Sequence, residues 1–207
     1  MEAPCYAARP GCTRKPLDGP DQAANAVAMT SQRARLAARW KRRWTIDAGE
    51  VTLLPVTRAV AQEVLDGGPI TDTFEQGVRH AMIDHAMDIA IQHADSGGAA
   101  VMPAVWFVVR NPDGRVVGDM GTHGPPDSEG CVEIGYSLAP SARGQGIGSA
   151  AVAALIERLA TVPGIRAVTA VTGADNLASR RLLERLGFLL ADFVPGANQV
   201  RYLLNLA

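Results

Sequence analysis

The stretch from Cys131 to Ala160 constrains the fold more than any other part of the chain. Its first eight residues, CVEIGYSL, alternate: Val132, Ile134, Tyr136 and Leu138 share one face, and Cys131, Glu133, Gly135 and Ser137 the other. That is the period of a half-buried strand. After Pro140 comes Arg143-Gly144-Gln145-Gly146-Ile147-Gly148, and then Ile147, Ala151, Val152, Leu155, Ile156 and Leu159 recur at helical spacing. The order is therefore strand, glycine turn, helix. Without Cβ atoms the turn lets a phosphate approach the backbone, and the free amides and partial positive charge of a first helical turn favour an anion there. It is not a P-loop, since no Gly-Lys-Ser/Thr closes it. Nor is it a dinucleotide fingerprint, because Gly144, Gly146 and Ser149 only approximate the G-x-G-x-x-G spacing and no acidic residue ends a following strand at the expected distance. Taken alone, the turn fits a tight connection without ligand equally well.

The flanking text supplies the other elements. Val51 to Thr57 reads as a short strand, and the Ala-rich stretch after it as a helix ending at Gly67-Gly68-Pro69. Between Phe74 and His93, Val78, Met82, Ala86, Ile89 and Ala90 recur at helical spacing, leaving Asp84, Asp88 and Gln92 on the wet side. Ala104 to Arg110 and Arg115 to Met120 are apolar runs around Asn111-Pro112-Asp113-Gly114, which predicts an antiparallel hairpin. Ile165 to Thr172 is a further strand. Asp175 or Asn176 then caps a helix with Ala178, Leu182, Leu183 and Leu186 on its buried side, closed by Gly187 with Phe188 packing back.

Composition narrows the function classes. Twenty Lys and Arg against 21 Asp and Glu give a net charge of −1, which argues against a whole-molecule attraction to nucleic acid or an anionic membrane. The three cysteines, Cys5, Cys12 and Cys131, have no metal-like spacing and suit a reducing cytoplasm. No secretory core opens the chain, and no apolar run of about 20 residues could span a bilayer. The expectation is a cytoplasmic protein without a bound metal or a membrane partner. Residues 1–45 form an extension and residues 46–207 one domain. Up to about Asn25 the Pro, Gly and Ala content predicts disorder. In SQRARLAARWKRRW, Leu36, Trp40 and Trp44 form one helical stripe among six cationic residues. Charge runs mark exposed faces, so this reads as a solvated helix docking its tryptophans on the domain, with RNA contact as the alternative.

The two motifs together resemble the GNAT-type (Gcn5-related) N-acetyltransferases. Arg143, Gly146 and Gly148 match the family's Arg/Gln-x-x-Gly-x-Gly/Ala pattern. Asn176, Ser179, Gly187 and Phe188 match its Asn-x-x-Ser stretch with a later Gly-Phe. The likeness spans about Val51 to Leu206, and Gly121 to Leu138 resembles the branch of ribosomal-protein and related alpha-amine acetyltransferases. It implies an α/β (α+β) fold, a mixed and mostly antiparallel central sheet flanked by helices. It also implies acetyl-CoA as acyl donor, its pyrophosphate on the amides of Gln145, Gly146, Gly148 and Ser149 beside Arg143. The pantetheine arm would lie between the strands at Val132 to Leu138 and Ile165 to Val171, bonded by the Leu138 backbone and the Asn176 side chain.

For catalysis the resemblance implies Glu133 as the base, through water, and transfer by direct attack in a ternary complex. Leu183 stands where the family often carries a tyrosine acid, so Ser179 is the substitute donor, or the thiolate leaves unaided. Tyr136 reads as core, His123 as a substrate contact, and His80, His85 and His93 as surface or packing residues. The acceptor is the primary amine of a small molecule or a protein N-terminus, and the protein a monomer or homodimer. Two rivals stand beside this: a non-catalytic acyl-CoA-binding module, and a domain tethered to RNA by its basic segment.

Overall fold

A computed structural model of the chain describes residues 44–78, 81–98 and 102–206. Eight strands form one sheet in the order β1-β2-β3-β4-β5-β6-β8-β7: β1 Ile46–Ala48, β2 Val51–Pro55, β3 Val105–Arg110, β4 Val116–Thr122, β5 Cys131–Leu138, β6 Ala167–Gly173, β7 Leu189–Phe193 and β8 Gln199–Asn205. β5 and β6 run parallel, and the other neighbouring strands pair antiparallel. Antiparallel neighbours need only turns, whereas a parallel pair needs a crossover, which here is helix α3, Ile147–Ala160.

Helices α1 (Arg58–Leu65) and α2 (Ala81–Asp95) cover one face, and α3 and α4 (Leu177–Arg185) the other. β3, VWFVVR, shows why both layers are needed. Val105, Phe107 and Val109 enter the α1/α2 core while Trp106 and Val108 enter the α3/α4 core, the continuous apolar run of a strand buried on both sides. β5 keeps its alternation, because the α1/α2 core draws on β2, β3 and β4 but not on β5. Val132 and Ile134 are buried against α3, and Glu133, Gly135 and Ser137 are only half-buried.

Most expected elements form, with shifted ends. The helix expected from Phe74 starts later. Pro69–Thr73 is a single 3-10 turn, Phe74 bridges to Val116, and the Glu75 amide donates to the Val116 carbonyl at 2.8 Å. The Glu75 carboxylate accepts from Arg110 at 2.7 Å, a bond available only while this segment lies against the β3–β4 hairpin. Among the described side chains of α2, which leave out Met82, the buried ones are Ile83, Ala86, Met87 and Ala90, with Asp84, Asp88 and Gln92 exposed as expected and Ile89 only half-buried. In α4, Leu183 is fully buried, but Ala178, expected on the buried side, is exposed because the helix rises from the cleft edge there. β1 was not anticipated; three residues are too few to show a period. At the far edge, β7 exposes Leu189, Leu190 and Phe193.

Of the basic stripe only Trp44 lies within the described residues, and it packs against the α3/α4 core. Its carbonyl accepts from Trp106 Nε1 at 2.9 Å, and Arg158 lies over its ring at 5.6 Å. Trp106→Phe removes that donor from a site with no exposed surface and leaves a void. The expected loss is about 2 kcal/mol of unfolding free energy in urea titration.

Candidate functional site

The sheet opens at one place. β5 and β6 pair from Cys131↔Ala167 to Ile134↔Ala170 and then part, although each strand continues, to Leu138 and Gly173. β4 stays on β5 up to Gly118↔Leu138, and β8 stays on β6 down to Gly173↔Gln199. Each strand is thus pulled away by its outer neighbour, and a gap is left between them. It widens into a cleft of about 770 Å³ lined by Tyr136, Ser137 and Leu138 of β5, the turn before α3, the first turn of α3, and one side of α4 along its length to Arg185.

Every residue expected to bind the donor except Gln145 lines this cleft: Leu138, Arg143, Gly146, Gly148, Ser149 and Asn176. Gly146 is the N-cap of α3 at φ +80, a left-handed backbone favouring glycine, and no side chain caps the helix. The helical ladder begins with Ala150 N–H to the Gly146 carbonyl, so the amides before it are left for a ligand. Gln145 spends its side chain on the Ser141 carbonyl at 2.6 Å. Among the described residues three arginines, Arg143, Arg181 and Arg185, line the cleft, and no carboxylate does. Arg185 Nη2 donates to Ser149 Oγ at 3.3 Å.

Two expected contacts are already partly used. The Leu138 carbonyl accepts from Arg143 Nε at 3.0 Å. Asn176 Oδ1 accepts the Ser179 amide at 3.2 Å as N-cap of α4, so its capping duty takes the oxygen. Leu183, at the place of the family's tyrosine, has no exposed surface and belongs to the core.

Tyr136 is not simply core. It is half-buried in the cleft wall, and its hydroxyl lies 2.8 Å from Ser179 Oγ. Burial raises the Tyr136 pKa, which the bond to Ser179 offsets only in part. Glu133 projects from the other face of β5, where its Oε1 lies 2.9 Å from His123 Nδ1. A carboxylate accepts only, so the ring donates from Nδ1. The ring covers Gly135: a Cβ there would lie 2.7 Å from Nε2, so a larger residue would displace the histidine from this position. His80 lies outside the described residues, His85 is exposed, and His93 Nε2 bonds the Met102 carbonyl at 2.8 Å. Cys131 is half-buried with Sγ 4.0 Å from Thr169 Oγ1. Among the described residues no cluster of His, Cys, Asp or Glu could hold a metal, and no helix is long and apolar enough to cross a membrane.

Sequence reasoning missed Asp119. It sits in β4 between Phe107 and Ser137 in cross-strand register, on the Glu133 face, 8% exposed, with Oδ1 unpaired. Burial pushes its carboxyl up to about 7 from 3.8. An aspartate inside the run VVGDMG was the available signal.

A layered α/β/α domain with a sheet opened at one parallel pair, and a cationic cleft at a helix N-terminus beside the gap, is the architecture of acyl-CoA-dependent acyltransferases. Residues 55–189 match the family model described as an acetyltransferase (GNAT) domain, and the chain belongs to that family. It is similar to the uncharacterized N-acetyltransferase YjdG of Bacillus subtilis (strain 168), 35% identical over 85 residues. That match spans 41% of this chain and 51% of the relative, about half its length. The fold also matches the microcin C7 self-immunity acetyltransferase MccE, solved with acetyl-CoA and AMP (TM-score 0.56, 18% identity, 81% of this chain and 99% of that one). The ribosomal-protein-S5-alanine acetyltransferase from Vibrio fischeri matches with TM-score 0.57 at 15% identity, over 78% and 96% of the chains.

Unfolded, Asp119 ionises near 3.8; folded, near 7. Between those values the folded state holds a proton that the unfolded state lacks, so this group's contribution to stability falls as pH rises to about 7 and is level above. Asp119→Asn abolishes that fall. Urea titrations are expected to show the variant more stable than the parent at about pH 8, by up to about 4 kcal/mol, and little different at about pH 4.

Proposed function

We propose that this protein transfers an acetyl group from acetyl-CoA to a primary amine by direct attack. The observation that carries the reading is the pairing, among the described residues, of three cleft arginines and no carboxylate with an uncapped helix N-terminus at the parting of two strands. Such a site selects an extended ligand that is anionic at one end, which is the shape of acetyl-CoA. Arg143 and the amides of Gln145, Gly146, Gly148 and Ser149 hold the pyrophosphate. The pantetheine arm takes the place of the missing ladder between β5 and β6, with the Leu138 backbone and the Asn176 amide nitrogen as partners. The fold's occurrence in a ribosomal-protein acetyltransferase and in an enzyme solved with acetyl-CoA and AMP supports an acceptor that is a protein N-terminus or a small-molecule amine.

On this reading the gap serves as a passage through the sheet, with Ser137, of the Glu133 face of β5, beside it. The thioester enters from the arginine side and the amine from the Glu133 side. Glu133, held by His123, takes the proton of the incoming ammonium, and alignment in the passage supplies the rest of the rate. Leu183 in the core keeps the alternative of a non-catalytic acyl-CoA-binding module open to the same tests.

Calorimetry is expected to show acetyl-CoA binding to the parent and none to folded Gly146→Glu, whose carboxylate repels the pyrophosphate. No binding to the folded parent would overturn the reading. Glu133→Gln is expected to lower kcat about 100-fold at neutral pH while the KM for acetyl-CoA is unchanged. An unaltered kcat removes Glu133 from the chemistry.

A further inference from the structure

We propose that Tyr136 is a positioning residue that fixes the Ser179 hydroxyl as hydrogen-bond donor to the sulfur of the departing thiolate; this rests on the acetyl-CoA reading above. Three observations converge. Tyr136 and Ser179 both line the cleft and lie 2.8 Å apart, oxygen to oxygen. Ser179 has its amide anchored on Asn176 Oδ1, which sets the first turn of α4 against the gap. Leu183 fills its site in the core completely, so α4 has no room there for a phenol, and β5 brings one in from the opposite wall.

The direction of the hydrogen bond follows from chemistry. A phenol is far more acidic than an alkanol, and burial keeps Tyr136 protonated, so Tyr136 O–H donates and Ser179 Oγ accepts. With that lone pair engaged, the hydrogen of Ser179 is free to point into the cleft. During transfer the amine nitrogen bonds to the thioester carbon, the carbon–sulfur bond breaks, and the electron pair leaves on sulfur. Ser179 donates a hydrogen bond to that charge. It does not surrender its proton. A phenol held above its usual value by burial is a weaker acid than a thiol, so a relay ending in Tyr136 phenolate would run uphill. The proton that finally makes CoA-SH comes from the amine nitrogen, through water, and atoms and charge balance without a further reagent.

The test is the titration of the CoA thiol bound to the full-length protein, followed by the ultraviolet absorbance of the thiolate, in the parent, Tyr136→Phe and Ser179→Ala. A hydrogen bond to a charged acceptor is worth enough to move that midpoint by about one pH unit. Both variants are expected to raise it by that amount and to lower kcat about 10-fold with the KM for acetyl-CoA little altered. The double variant is expected to show no further change, since one residue acts through the other. A midpoint unmoved in Tyr136→Phe while CoA still binds overturns the proposal and leaves the acetyltransferase reading intact. Failure of the parent to bind CoA overturns both.

Discussion

The parting of β5 from β6 is the constraint on which the rest of the structure depends. A sheet that stayed closed here would satisfy its own amides and carbonyls and offer no edge to a ligand. It opens because each of the two strands is bound more fully to its outer neighbour than to the other: β4 follows β5 to Leu138, and β8 follows β6 to Gly173. The crossover helix then has to begin beside the opening, which places its N-terminal amides and glycine turn at the mouth. An anion site and an unfilled ladder are thus one geometric event.

Two sets of groups flank β5, and their separation follows from strand alternation. Even-numbered residues of β5 face α3 and α4, giving the Tyr136–Ser179 contact; odd-numbered residues give Glu133 and, through cross-strand register, the neighbourhood of Asp119. The Glu133–His123 pair and the Tyr136–Ser179 pair therefore lie on opposite faces of β5. Arg143, Arg181 and Arg185 line the cleft beside the gap, which gives it a polarity as well as a shape.

The elements that carry this arrangement were readable because their patterns are local. The alternation of Cys131–Leu138, the glycine turn and the periodic run after Ile147 each lie within one element, and the Asn176 cap and the Gly187 closure are signals of a few residues. What was not readable is long-range. The Tyr136–Ser179 bond joins residues 43 apart, and nothing in CVEIGYSL distinguishes a tyrosine in the core from one bordering a gap. Likewise Glu75 reads as helix until its partner Arg110, 35 residues away, pins it to a hairpin. Asp119 hid inside an apolar run because periodicity marks burial and says nothing of a buried charge.

The same narrow parallel pairing has a consequence for how the molecule holds together. Antiparallel strands β1 to β5 are joined to the unit of β6, α4, β7 and β8 by four register pairs and by the packing of α3. Such a seam depends on parallel pairing across a crossover, a kind of contact that is slow to form. A molecule lodged in the gap touches both sides of it. Whatever occupies the cleft therefore acts as a clasp between two halves of the chain, and its binding energy is added directly to their cohesion.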